Sequence, residues 1–273
     1  MDQLASMVTE RWYVLAFLVS FVVICWAERG WQRTLLWLVS GTFIGWLMEF
    51  SSTHNGFPFG RYAYHEANFP DELFIGGVPI FASLSFAFLT YFGYSAAGTL
   101  LSKLERRGND IERVEDERLA GSWRVLVLAA LITTWVDTVI DPVSLLGKYW
   151  FLGELYSYRE DGLHFGVPLS NYAGWLFTTA LVVFVNQRFD ARLRAVRIAA
   201  HGFHLPFKPL WALGSIFGNF AFMLSITVYL MVSGRAPGEA LGSVLASGLA
   251  LSAAFAAFAA IMIARGLRIL PHP

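Results

Sequence analysis

Long apolar runs alternate with short polar clusters along the whole chain. The runs lie at about 12–27, 33–50, 75–101, 123–147, 168–187, 209–233 and 239–264. A helix needs about 17–25 apolar residues to cross the hydrocarbon of a bilayer. The first run is short, and the second and fifth sit near that lower limit, which tilt or local thinning accommodates. Only helices suit such runs, because a lipid-exposed backbone must satisfy its own hydrogen bonds. The pattern predicts an all-α polytopic integral membrane bundle of about seven transmembrane helices, in a single domain covering 1–273. The first run matches a signal peptide in position. It lacks a basic lead-in, however, and Trp26-Ala27-Glu28-Arg29 is a poor cleavage context, so it reads as a retained span.

Basic residues supply an orientation. Arg29, Arg33, Lys103, Arg106, Arg107, Arg113, Arg118, Arg124, Arg188, Arg192, Arg194, Arg197, Lys208, Arg265 and Arg268 fall on one side, and only Arg11, Arg61, Lys148, Arg159 and Arg235 on the other. Positive loops stay in the cytoplasm. The expected location is therefore the cell membrane, with the N-terminus outside and the C-terminus cytoplasmic. Composition agrees with the membrane reading: 56% of the residues are hydrophobic and 15% charged, where a soluble domain carries about a quarter charged residues. A net charge of zero offers no basic surface for nucleic acid. The single cysteine, Cys25, excludes an intrachain disulfide.

The two long outer connections differ from ordinary loops. Residues 51–74 read SSTHNGFPFGRYAYHEANFPDELF and residues 148–167 read KYWFLGELYSYREDGLHFGV. Both are rich in Tyr, Phe and Gly, as in an interfacial belt with tight turns. Each is followed by Gly-Val-Pro, at Gly77–Pro79 and at Gly166–Pro168. An acid stands at a similar distance before each, Glu49 and Asp137. This spacing points to an internal parallel repeat of 33–101 and 123–187, with Glu49 and Asp137 in equivalent positions.

The chemistry lies in three carboxylates. Asp137 and Asp141 sit four residues apart inside an apolar run and so share a helical face. A charged group near mid-bilayer costs roughly 2.5–3.5 kcal/mol on insertion scales, so such acids are rare and usually functional. Glu49 joins them at the outer end of the second run. Trp46, Trp135, Asn171 and Trp175, with His54, Tyr62 and Tyr64 from the first long loop, are candidates to line a polar, aromatic pocket under the outer interface. Plainer roles exist for some of these residues. Glu49 would serve as a snorkelling or Arg-paired acid, Asp141 as a turn-former where the helix ends or kinks before Pro142, and the tyrosines as belt residues. Asp137 resists such a role, because it lies deeper and its run's one base, Arg124, stands at the opposite end. Gly41–Gly45 and Gly214–Gly218 suit close helix packing. No span carries a lysine for a retinal Schiff base, no histidines have metal-ligand spacing within a helix, and no nucleotide motif occurs. No metal and no cofactor is expected.

The run Gly45-Trp46-Leu47-Met48-Glu49-Phe50, the loop from His54 to Tyr64, Gly77-Val78-Pro79, Asp137-x-x-x-Asp141-Pro142, and Gly166-Val167-Pro168-x-x-Asn171-x-x-Gly174-Trp175 together resemble the carotenoid biosynthesis membrane proteins. Characterised members of that family are carotenoid 1,2-hydratases of the bisanhydrobacterioruberin hydratase and γ-carotene hydratase types. The resemblance implies an acyclic carotenoid substrate, water as co-substrate, the lipid bilayer as surroundings and other carotenoid-pathway enzymes as partners.

Hydrating an isolated alkene needs an acid to protonate one carbon and water to capture the cation. A carboxylic acid kept from ionising can donate, while an ionised one orients the water. Aromatic faces stabilise the cation. The donor expected here is Asp137, with Glu49 and Asp141 sharing water activation. An end-group cyclase or isomerase would use the same protonation and exclude water. A proton-coupled transporter would use the acids as a relay, and a scaffold for carotenoid enzymes would need none of them.

Overall fold

The computed structural model describes residues 9–114, 116–199 and 201–268. The chain's outermost residues, on which the expected sidedness of the two termini bears, lie outside these. Seven long helices carry the fold: α1 (Trp12–Arg29), α2 (Trp31–Asn55), α3 (Ile80–Leu101), α4 (Trp123–Ser144), α5 (Leu169–Ala195), α6 (Trp211–Ser233) and α7 (Gly238–Gly266). Short strands decorate the ends: β1 (Tyr62–Tyr64), β2 (Phe74–Ile75), β3 (Val78–Pro79), β4 (Leu104–Arg107), β5 (Asp110–Arg113), β6 (Tyr156–Tyr158) and β7 (Leu267–Arg268).

Six of the helices are long and apolar enough to cross a membrane; α5 is less apolar than the rest. Its polar residues Asn171, Asn186 and Asp190 are buried against the other helices, which is why they escape the cost of facing lipid. It still runs the full length of the bundle. Asn171, in its first turn, meets Asp137 and Asp141, while Asp190, near its last turn, meets Arg29 and Arg33 at the opposite end. Both α2 and α5 extend beyond the apolar runs that announced them, as helices continue past the membrane core when their ends are polar.

Central helix α3 is buried along most of its length and touches every other long helix. Small residues let its neighbours close on it. A Cβ on Gly41 would stand 2.8 Å from the Ala87 Cα, and one on Gly93 would stand 2.9 Å from the Ala129 carbonyl. Gly45 likewise lies on Phe86. Gly214 has nothing within 4 Å of a Cβ and Gly218 only the Phe17 ring at 4.0 Å, so the second glycine pair makes no approach as close as the first.

The two long connections fold together at one end of the bundle. β1 pairs antiparallel with β6, in register Tyr62–Tyr158 and Tyr64–Tyr156. Arg11, just before α1, fastens this cap. It ion-pairs with Glu72 in the first connection and donates to the Leu152 carbonyl in the second, and both charged side chains are buried. At the opposite end, β4 pairs with β5 in a hairpin and with β7 after α7.

Helix α4 does not stop at Asp141. It runs through Pro142 to Ser144, and the Asp141 carbonyl accepts from the Leu145 N–H. Pro142 therefore sits inside the helix and lacks the backbone N–H that would otherwise bond the Thr138 carbonyl.

Candidate active site

The two-stranded cap closes over three acids. Asp137 and Asp141 project one turn apart from α4, Glu49 projects from within α2, and all three are buried. Asn171 bridges the α4 pair: its Nδ2 donates to Asp137 Oδ2 at 2.7 Å and to Asp141 Oδ2 at 2.8 Å. The cap supplies the remaining donors. Tyr156 and Tyr158 each donate to Asp141 at 2.8 Å, and Tyr64 donates to Glu49 Oε1 at 2.8 Å. Burial, and then the neighbouring carboxyl groups, raise the tyrosine pKa values well above the usual phenol range. These phenols therefore act as O–H donors and not as bases.

The acids are unequally satisfied. Asp141 accepts three hydrogen bonds, from Asn171 and the two cap tyrosines, and is held in place from both sides. Asp137 and Glu49 accept one each, and Asp137 Oδ1 and Glu49 Oε2 are buried without a partner. A buried oxygen left in that state costs about 1–3 kcal/mol, a cost that a ligand able to donate would remove.

Both free oxygens belong to residues lining a cavity of about 150 Å³. No arginine, lysine or histidine lines it among the described residues. Its wall is rich in aromatic residues, among them Phe86 and Trp175, which stack with ring centres 4.5 Å apart. Farther along, α1 contributes Val14 and Phe17, α3 contributes Phe88 and Leu89, and α6 contributes Met223. Asn219 also lines the cavity, and its Oδ1 is buried without a partner.

Of the residues singled out in the sequence, Glu49, Asp137, Asp141, Tyr62, Tyr64, Asn171 and Trp175 meet at this cavity. Three do not. Trp135 stands two residues from Asp137, about 200° around the helix, and packs on Phe255 while its Nε1 donates to the Leu251 carbonyl of α7. Trp46 stacks on Phe50 and donates to the Ile75 carbonyl, away from the cavity. His54 is exposed at the end of α2, with its ring against Phe50.

Sequence reasoning missed Tyr156, Tyr158, Trp150 and Asn219. Tyr156-Ser157-Tyr158 was open to detection, because it echoes Tyr62-Ala63-Tyr64 in the other aromatic loop. The hydrogen bonds also give a different match between the two halves from the one the spacing suggested. Glu49 and Asp141 each accept from a tyrosine fifteen residues further on, which pairs Glu49 with Asp141 instead of Asp137.

Comparison with known proteins gives a consistent picture. The chain is 29% identical over 153 residues to the bisanhydrobacterioruberin hydratase of Haloarcula japonica, a match covering 56% of this chain and 44% of that protein. It thus spans less than half the length of that relative. No solved structure matches. The family model described as carotenoid biosynthesis protein matches residues 10–262. The chain is a member of the carotenoid biosynthesis protein family.

Proposed function

We propose that this protein is a carotenoid hydratase that adds water across the terminal 1,2 double bond of an acyclic end group. The observation that carries the reading is the pair of buried, unpartnered carboxyl oxygens in a cation-free, aromatic-walled cavity. A hydrocarbon cannot satisfy those oxygens, whereas a water molecule lying between them and the end group can donate to them.

In the proposed reaction Asp137, in its protonated form, delivers its proton to the less substituted alkene carbon. The π electrons form the new C–H bond and leave a tertiary cation, which the aromatic wall of the cavity stabilises. Water oriented by Glu49 bonds to the cation through an oxygen lone pair and gives up a proton to Glu49, and passage of that proton on to Asp137 restores the acid, so one water is added in all. Asp141 accepts from three donors, and it fixes Asn171 and hence Asp137. Its role is then to hold the site's geometry.

The remaining parts of the reading are an outward-facing acid end, a single domain and a polyene running along the apolar part of the cavity toward α1. Cyclisation or isomerisation would use the same proton, but neither gives the free oxygens a partner. The test is expression in a cell that accumulates lycopene, with mass analysis of the extracted carotenoids. A tertiary alcohol supports hydration. A ring product identifies a cyclase, and unchanged lycopene removes the proposal.

A further inference from the structure

At the end of the bundle opposite the acids, a polar cavity of about 190 Å³ lies between α1, α2, α5 and the connection from α3 to α4. Arg29, Arg33, Arg113 and Arg194 line it. Four acids, Glu28, Asp116, Glu117 and Asp190, line it as well, so what distinguishes the arginines is how each is partnered. Asp190 answers three arginines, bonding Arg29 at 2.6 Å and also Arg33 and Arg194, and Arg194 lies a further 3.9 Å from Glu117. Glu28 accepts from the hydroxyls of Tyr91 and Ser95 and makes no ion pair among the described residues. Asp116 caps the turn Glu117–Ala120 through backbone N–H groups, and the Glu117 side chain is 77% exposed to solvent. Arg113 makes no ion pair among the described residues. Its Nη1 lies over Gly98, 3.0 Å from where a Cβ would stand, so the glycine makes room for it. Arg33 Nη1 is buried with no hydrogen-bond partner, on a side chain only 8% exposed.

This cavity sits at a defined depth. Trp26, Trp31, Trp123 and Trp211 are all exposed around the same end of the bundle. Exposed tryptophans gather at the level of lipid headgroups. Guanidinium groups at that level match phosphate oxygens in both charge and geometry.

We propose that this arginine-lined cavity binds a phosphate-bearing anion, of the kind an acidic phospholipid presents at the membrane surface. The inference is independent of the reaction at the other end. The chemistry allows two sources, a lipid headgroup or a soluble phosphate ester.

The test uses the full chain, purified in a neutral detergent, with three probes: phosphatidylglycerol, phosphatidylcholine and inorganic phosphate. Lipid retention is read by native mass spectrometry and stability by melting temperature. The variants are Arg113→Gln, which breaks no ion pair, and Arg113→Gln with Arg194→Gln, which leaves Arg29 and Arg33 on Asp190. Wild type is expected to retain one phosphatidylglycerol at least tenfold more strongly than phosphatidylcholine, and the double variant to lose that preference. Stabilisation by millimolar phosphate without lipid retention, lost in the same variants, supports the site and assigns it to a soluble ester. Equal retention of the two lipids with no response to phosphate overturns the proposal, as does an acidic-lipid preference that survives both variants. If the double variant does not fold, Arg113→Gln alone decides.

Discussion

The two ends of the bundle treat buried carboxylates in opposite ways. Asp190 is met by three arginines, so its charge is answered and its geometry is over-determined. Glu49, Asp137 and Asp141 are met only by an amide and by tyrosine hydroxyls, in a cavity with no cation on its wall. Ion pairing of the first kind holds helices together. An arrangement of the second kind contributes little to stability and leaves proton-binding oxygens available, as a site for acid catalysis requires. A buried acid is thus informative only once its partners are known.

The contrast can be broken most sharply at Asp190. Asp190→Asn would leave three arginines without their counter-charge, and it is expected to cost about 3–5 kcal/mol of stability. Hydration per folded molecule should stay near wild type, because nothing at the acid end is touched. Thermal unfolding and product yield, measured on the same preparation, check both halves.

Asp137→Asn is expected to do the reverse. It should fold and insert normally but lose at least about a hundredfold in rate, the usual scale for a missing general acid. Near-normal turnover per inserted protein would move the donor role to Glu49. Glu49→Gln should also lower turnover while leaving polyene binding intact, since orienting water is a separate task; comparing bound and converted carotenoid distinguishes the two effects.

The acid end of this contrast was largely legible in the sequence, whereas Asp190 and its arginines were not, and the part that was not has a physical reason. Apolar runs separated by charged clusters gave the helices to within a few residues at most ends. The four-residue spacing of Asp137 and Asp141 placed both on one face, and Asn171 stood out as a polar residue opening a span. Partners were harder to read. The bonds from Tyr156 and Tyr158 to Asp141 depend on a strand pairing between two loops, which no local pattern encodes. The plain reading of Glu49 as an arginine-paired acid failed for the same reason, since its partner is Tyr64, across the cap. Trp135 was misplaced because sequence neighbours of a site residue on a helix point elsewhere.

A smaller effect tests the cap. Tyr64→Phe removes the one hydrogen bond that Glu49 accepts and should cost about 1 kcal/mol, or roughly fivefold in rate. A steady-state comparison with His54→Ala, which lies outside the cavity and should be close to neutral, separates a cap effect from general loosening of α2. The smallest effect expected is that of a chelator. A metal would be the cation the acid end lacks, so EDTA treatment of protein in liposomes should leave the rate unchanged; loss of activity restored by one particular metal would erase the contrast between the two ends.

The central claim is that the cation-free acid end adds water to a polyene. The most direct measurement supplies lycopene to the purified protein in liposomes made with heavy-oxygen water. The account predicts a tertiary alcohol whose oxygen comes from the labelled water, formed by wild type and nearly absent with Asp137→Asn. A product without the label, or equal labelling by the two proteins, would contradict it.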